Sequence, residues 1–436
     1  MSLRFPNPVN VLFFSRRYFP TISGMSAYAQ NLLGELVRRG HGVAMLSQFR
    51  ADAAGAGVYG DGPPPAVPGV RVLGRPSAGE ADGGDFERDV DDLVARALDL
   101  HAETPFDVFH AQYGYPTGYA ALVAAARAGV PCVVSIQGGD GHWVGACCGR
   151  HRRAMRAVLD GANALVIGSR SFADSVDARL GPPRTPWYAV PGAVDTARYH
   201  PADGAEPGAL RHRPPVVLYH GRVDRRKGVL DLLDAWPRVR ADARLVVSGV
   251  GPDAGAVRER ARGMERVEVT GYVDYDATPA IYRAADVFVS PTYAEGFSNT
   301  ILEAMATGLP IVSTRAVGVV DCLRDADEHA DGNALLVSPG DVPALAAAIE
   351  RMLTDGALRA RLASAALAEV HERYAWTVIA GEIERVYASV AGARPHAFAP
   401  IPPAGVPPTD LGEDERGPDA TPDGAACRFR AAPHLL

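Results

Sequence analysis

The stretch YAEGFSNTILEAMATGLP, residues 293–310, holds two glutamates eight positions apart, Glu295 and Glu303. The run VFVSP before it (287–291) reads as a buried strand stopped by proline. Ser298 and Asn299 are good helix caps, TILEAMA is strongly helical, and Gly308-Leu309-Pro310 ends the helix abruptly. Glu295 therefore sits at a strand exit and Glu303 inside the following helix. The first-turn amides of that helix lack intrahelical partners and its dipole favours negative charge, so a phosphate suits the position. A carboxylate repels phosphate; as hydroxyl acceptors, for a sugar and a ribose, both glutamates make sense. The competing reading is a surface helix carrying two solvated acids.

Other candidate groups fall at similar turns. LYHGRVDRRKGV (218–229) follows a second apolar run and carries Arg222 and Lys227 on a glycine-flanked loop. An arginine fork and a lysine point charge there suit a diphosphate, with Arg225 and Arg226 as its solvated neighbours. FPTISGMSAYAQ (19–30) sets Ser23, Gly24 and Ser26 at a strand-to-helix turn where backbone can approach phosphate. His142, Cys147, Cys148 and His151 lie within ten residues. Adjacent cysteines rarely reach one metal with good geometry and the spacing matches no zinc motif, so ordinary loop residues are expected. Arg150, Arg152, Arg153 and Arg156 form a basic run, read as a solvated helix face rather than a membrane-binding one because no Trp/Phe/Leu stripe accompanies it.

The elements that must position these groups alternate along the chain. Apolar runs at 9–15, 42–47, 106–112, 130–137, 164–169 and 187–192 are separated by helical segments such as 26–39, 118–128 and 151–160. Strands without polar alternation argue for a parallel sheet covered on both faces. Residues 50–84 interrupt the rhythm as a Gly/Pro/Ala-rich loop. The polar, Pro-broken segment 195–214 reads as an interdomain linker, after which the alternation restarts. The expected division is a first Rossmann-like domain over 1–194, a second over 215–375, a helix at 376–392 returning to the first, and a disordered tail at 393–436. Two doubly wound α/β domains facing across a cleft place ligands beyond their strands' carboxyl ends.

Composition limits the function classes. A net charge of −7 argues against nucleic acid as the main partner. No run approaches the ~20 apolar residues of a membrane span, and the first twenty residues do not fit a signal peptide, so a cytoplasmic protein with at most peripheral membrane contact is expected. Five irregularly spaced cysteines do not make a disulfide framework.

Six segments in order resemble the retaining, nucleotide-sugar-dependent glycosyltransferases of group 1 (family four), which have the GT-B fold. They are PGAVDTARYHP, GRVDRRKG, SGVGPD, VTGYV, EGFSNTILEAMATGLPIV and DGNALLVSPGD, and the resemblance covers about residues 9–390. It implies a nucleoside diphosphate sugar of UDP or GDP type as co-substrate, a small-molecule acceptor, and no metal or other cofactor. By position, Arg222 and Lys227 would bind and stabilise the leaving diphosphate, and Glu295 would hold the donor sugar. Glu303 would hold the ribose, while Gly296, Phe297, Ser298, Asn299 and Thr300 would supply the loop and amides around the phosphates. Gly221 and Gly24 would lie near the diphosphate, and Gly271, Tyr272 and Val273 would border the base. The sequence departs from the family at VVSIQGGDGHW (133–143), where many members have His-x-x-Asp. Here Gln137 replaces the histidine and Asp140 is kept, with His142 as a substitute base. Glutamine cannot act as a base, which points toward an acceptor that is already nucleophilic, such as a thiol. A sugar-nucleotide epimerase, a phosphorylase and a non-catalytic nucleotide-sugar sensor are the alternatives on the same fold.

Overall fold

Two sheets, each entirely parallel, organise the chain. The structure is a computed structural model that describes residues 8–50, 53–80, 86–142, 144–212 and 214–401. One unit takes the chain up to Pro191 and again from Ala380, and the other takes Gly192–Ile379.

The first unit contains β1 (Asn10–Ser15), β2 (Gly42–Phe49), β3 (Val70–Pro76), β4 (Val108–Gln112), β5 (Cys132–Ile136), β6 (Ala164–Ile167) and β7 (Trp187–Ala189). Their order is β3-β2-β1-β4-β5-β6-β7. β1, β4, β5 and β6 are almost wholly buried, as expected of strands covered on both faces. The second unit contains β8 (Val216–His220), β9 (Arg244–Ser248), β10 (Val267–Gly271), β11 (Val287–Ser290), β12 (Ile311–Thr314) and β13 (Leu335–Val337), in the order β10-β9-β8-β11-β12-β13. Successive residues face opposite layers: Val217, Val289 and Val312 join one apolar cluster, and Leu218, Phe288 and Ile311 the other. Both orders reverse beside the unit's first strand, at β1/β4 and at β8/β11, so these carboxyl ends are where a doubly wound sheet opens its crevice.

Three segments differ from the sequence reading. Residues 50–84, expected as a loop, include a helix at Ala53–Tyr59 and the edge strand β3, paired from Val43↔Val70 to Phe49↔Pro76. Residues 195–212, expected as part of a linker, are strapped onto the second unit. Asp286 accepts from the Arg211 amide (2.6 Å) and the His212 ring (3.0 Å), and Tyr199 is buried. The tail, expected to be disordered from 393, stays docked to the first unit through 401. Asn163 donates to the Arg394 carbonyl (2.7 Å), Phe398 meets the Tyr119 ring, and the Ile401 amide donates to the Tyr119 hydroxyl (2.8 Å). Residues 402–436 lie outside the described residues. The chain from Ala380 is tied to the first unit by Glu384 against His41 (2.9 Å) and by the Tyr387 hydroxyl against His110 (2.7 Å).

Candidate active site

In the second unit, β8 and β11 are neighbours, so the loops leaving them emerge side by side at the switch point. The β8 loop brings Gly221 to Lys227 and the β11 loop brings Pro291 to Ser298. Their backbones touch. Gly228, at φ +68°, ends the tight turn Arg225–Lys227, and a Cβ there would lie 1.9 Å from the Pro291 carbonyl oxygen. The Tyr293 amide donates to the Arg226 carbonyl (3.0 Å). This packing sets the Lys227 ammonium 2.5 Å from a Glu295 carboxylate oxygen and 3.4 Å from the Ala294 carbonyl. Glu295 is held from behind by the Val317 carbonyl, which accepts from its amide (2.9 Å), and by Gly318, where a Cβ would come within 2.3 Å of the Glu295 carbonyl.

Arg222 lies 3.2 Å from Asp224 through its Nε. Asp224 also accepts from the Arg226 amide and guanidinium, so Arg226 is paired rather than merely solvated. Burial works against the charge on Asp224, and the Arg226 hydrogen bonds outweigh it, holding the carboxyl below its usual range. Arg225 turns outward to Asp253 (2.7 Å).

The helix Asn299–Ala306 begins on Ser298 in extended conformation, so its first-turn amides face the loop carrying Glu295. Ser298 and Thr300 hydroxyls lie 3.2 Å apart. Phe297 and Asn299 point to packing: a Cβ on Gly192 would meet the Asn299 Oδ1 at 2.6 Å and the Phe297 ring at 3.0 Å. Gly308, at φ +72°, closes the helix. Within the helix, Glu303 accepts a hydrogen bond from the Tyr282 hydroxyl (2.7 Å). Burial raises its pKa to about 7, against the Tyr282 and Tyr199 hydroxyls and Arg198, which favour the ionised form. The ring of His220, at the end of β8, packs 5.6 Å from that of Tyr282, and burial lowers its pKa to about 4, leaving it neutral near pH 7.

Gly271, Tyr272 and Val273 leave β10 and are joined to the β8 loop through β9. The Gly249 amide donates to the Gly271 carbonyl (2.7 Å), and the Gly221 amide to the Ser248 carbonyl (3.1 Å). Tyr272 is exposed. Gly221, Arg222, Lys227, Glu295, Gly296 and Ser298 to Thr300 thus lie along two adjacent loops, with Glu303 one helical turn further on.

In the first unit, β4 ends at Gln112, Gln137 directly follows β5, and Gly24 opens the helix that follows β1. Gln112 donates to the Gln137 Oε1 (2.7 Å) and to the carbonyl of Met25 (3.1 Å), linking Gln137 to the turn that starts the helix Gly24–Arg38. Ser23 caps that helix by accepting from the Ser26 amide (3.1 Å). Asp140 serves its own loop. It is buried and accepts from the amides of Gly114 (2.8 Å), Gln137 (3.0 Å) and Gly138 (2.9 Å), while burial raises its pKa. His142 is also buried, its ring 4.8 Å from that of Phe172. Three of the four arginines in the basic run are committed to neighbours rather than presented as a solvated face. Arg150 pairs with Glu87 (3.4 Å), Arg152 donates to the Arg179 carbonyl, and Arg156 donates to Gly181 and Asp160.

Family models match both halves of the chain: "Glycosyl transferase 4-like domain" over 23–193 and "Glycosyl transferases group 1" over 214–355. Over 418 residues the chain is 30% identical to the D-inositol 3-phosphate glycosyltransferase of Xylanimonas cellulosilytica, spanning 85% of this chain and 93% of the relative. The chain belongs to the group 1 glycosyltransferases. A phosphatidyl-myo-inositol mannosyltransferase of Mycobacterium leprae is 39% identical over 182 residues, 40% of this glycosyltransferase and 47% of the relative. Among solved structures, sucrose-phosphate synthase from Thermosynechococcus elongatus superimposes with a TM-score of 0.70 at 21% identity, covering 88% of this chain and 99% of that one. The Anabaena HepE protein in complex with UDP and glucose gives 0.66 at 18% identity, covering 87% and 100%. The fold is GT-B, built of two Rossmann-like domains.

Several residues around the candidate site escaped the sequence reading. Tyr282 and Tyr199 surround Glu303, Asp224 orients Arg222 and Arg226, and Gly318 underlies Glu295. The signal for Asp224 lay within GRVDRRKG itself, as a helix-capping acid among arginines. Gly318 follows β12 by four residues, where a strand-exit glycine marks close backbone approach.

Proposed function

We propose that this glycosyltransferase moves a sugar from a nucleoside diphosphate sugar of UDP or GDP type to a small-molecule acceptor, with retention of anomeric configuration, in the cytoplasm. The reading is carried by one observation: Lys227 and Glu295, from adjacent strand exits, meet beside the first turn of the helix that holds Glu303. A diphosphate draws Lys227 and Arg222 toward it and takes the first-turn amides of Ser298 to Thr300. Releasing Lys227 leaves Glu295 to accept hydroxyls of the transferring sugar. Glu303 accepts the ribose hydroxyls, and Gly271 to Val273 border the base. As the glycosidic bond to the diphosphate breaks, negative charge grows on the leaving oxygen, and the two cations stabilise it without a metal. Within the first domain, Asp140 holds the loop that carries Gln137. Among the described residues no helix is long and apolar enough to cross a membrane.

The test is a transfer assay over UDP- and GDP-sugars with alcohol and thiol acceptors, following nucleoside diphosphate release and the glycoside's anomeric proton by NMR. The reading expects acceptor-dependent release and an anomeric configuration equal to the donor's. Inversion, or binding of donors with no transfer to any acceptor, would overturn it.

A further inference from the structure

The first domain also brings together three groups that the proposed transfer does not use. Beyond β5 the chain turns at Gly145, at φ +92°, where a Cβ would come within 2.8 Å of Leu180 and 3.2 Å of Met155. That turn returns Cys147 over the start of the helix Gly149–Gly161, whose N-cap is Cys148. Cys147 Sγ lies 3.1 Å from His151 Nδ1. The sulfurs of Cys147 and Cys148 and a ring nitrogen of His151 all lie within 4.8 Å of one another. Cys147 and His151 are buried, and Cys148 is part-buried.

We propose that Cys147, Cys148 and His151 bind a thiophilic divalent ion, Zn²⁺ by chemical class. A tetrahedral zinc has bonds of about 2.3 Å to sulfur and about 2.0 Å to nitrogen, which sets its donors roughly 3.6–3.8 Å apart. The three atoms reach that spacing by shifts of about 1 Å or less. Adjacency of the cysteines argued against a shared ion in the sequence; the bend at Cys147 followed by extended backbone at Cys148 removes that objection by turning both sulfurs toward one imidazole. His142, the fourth member of the sequence cluster, is not part of the group, since its ring packs on Phe172. The histidine is already oriented, its ring 4.8 Å from that of Tyr115 and 6.4 Å from that of Phe86, with Nδ1 turned to sulfur. Two thiolates cancel the ion's charge, so the loaded site is neutral and suits its burial. Binding replaces two S–H bonds with two metal–sulfur bonds and releases two protons to solvent. A water or another side chain completes the tetrahedron.

The site lies beyond the carboxyl ends of β4 and β5, and its loading is independent of whether the proposed transfer reaction is correct. The experiment uses the full chain, reduced and metal-stripped, titrated with Co²⁺ and then Zn²⁺. The expected result is one equivalent of Co²⁺ bound with release of close to two protons, giving sulfur-to-metal charge-transfer absorption and tetrahedral ligand-field bands, and then displaced by Zn²⁺ with no further proton release. Cys148→Ser and His151→Ala should each weaken Co²⁺ binding by more than the roughly 10–100-fold typical of losing an outer-shell partner. Cys322→Ser, whose sulfur lies against the Val319 carbonyl, should leave it unchanged. In the wild type, Zn²⁺ should slow alkylation of Cys147 and Cys148, read by peptide mass spectrometry, which holds even where a variant fails to fold. Substoichiometric binding, octahedral bands, unchanged affinity in Cys148→Ser, or a Cys147–Cys148 disulfide that persists under reduction would overturn the assignment.

Discussion

Glu303 carries a prediction that can be worked through from its surroundings. Its pKa is raised to about 7. If its role is to accept ribose hydroxyls, the ionised form is the better binder, and donor affinity must follow its titration. About one tenth of the carboxyl is ionised at pH 6, half at pH 7 and about nine tenths at pH 8. The dissociation constant of a sugar nucleotide should therefore fall about five-fold from pH 6 to 7 and less than two-fold from 7 to 8. A diphosphate diester has no ionisation of its own in this window, so the slope belongs to the protein. Isothermal titration across pH 5.5–8.5 measures it, and Glu303→Gln should give a flat, weaker profile. The same shift acts on stability with a definite sign. Unfolded Glu303 ionises near 4.5 and folded Glu303 near 7, so the native state holds the extra proton between them and stability falls as pH rises through that interval. The whole interval is worth about 3 kcal/mol, and the ligand-free Glu303→Gln variant should gain on the wild type by up to that amount. A donor affinity independent of pH in the wild type refutes the reasoning.

Four further outcomes follow. Glu295→Gln should lower kcat more than it raises the donor KM, whereas Glu303→Gln should chiefly raise that KM; equal, small effects in steady-state kinetics contradict both assignments. Arg222→Ala and Lys227→Ala should each cost on the order of 100-fold in kcat, and added Mg²⁺ should not restore it. Gly228→Ala forces a Cβ onto the Pro291 carbonyl in a left-handed conformation, and should cost about 2 kcal/mol or more in denaturant unfolding together with donor binding. Gln137→His should not raise turnover with the native acceptor, and the wild-type pH–rate profile should shift when an alcohol acceptor is exchanged for a thiol; a limb near pH 6.5 that ignores the acceptor and vanishes in His142→Ala shows a histidine base instead.

The buried strands and the helix Asn299–Ala306 were legible because continuous apolar runs and caps are local signals. β3 was not, since VRVLGRP sits at a sheet edge with none of its residues fully buried and has glycine-rich flanks. The strap 195–212 reads as polar, yet one buried acid some 75 residues away, Asp286, takes the Arg211 amide and the His212 ring, and the Arg211 guanidinium donates to the Ala285 carbonyl. In the site, Arg222, Lys227, Glu295 and Glu303 could be picked out because each stands at a strand exit or in a capped helix. Tyr282 could not, because its hydroxyl gains meaning only when the helix Thr278–Arg283 packs against the next one. Asp140 also has partners the sequence did not announce: its carboxylate accepts from two amides of its own loop, Gln137 and Gly138, and from that of Gly114 after β4.

The account rests on Arg222 and Lys227 gripping a nucleoside diphosphate, and a thermal-shift and calorimetric titration of UDP- and GDP-sugars tests it most directly. One base series should bind the wild type and stabilise it by about 2.7 kcal/mol at a hundred times Kd, with the gain lost in Arg222→Ala and Lys227→Ala. Donors that bind both variants as tightly as the wild type, or no binding by either series, would contradict it.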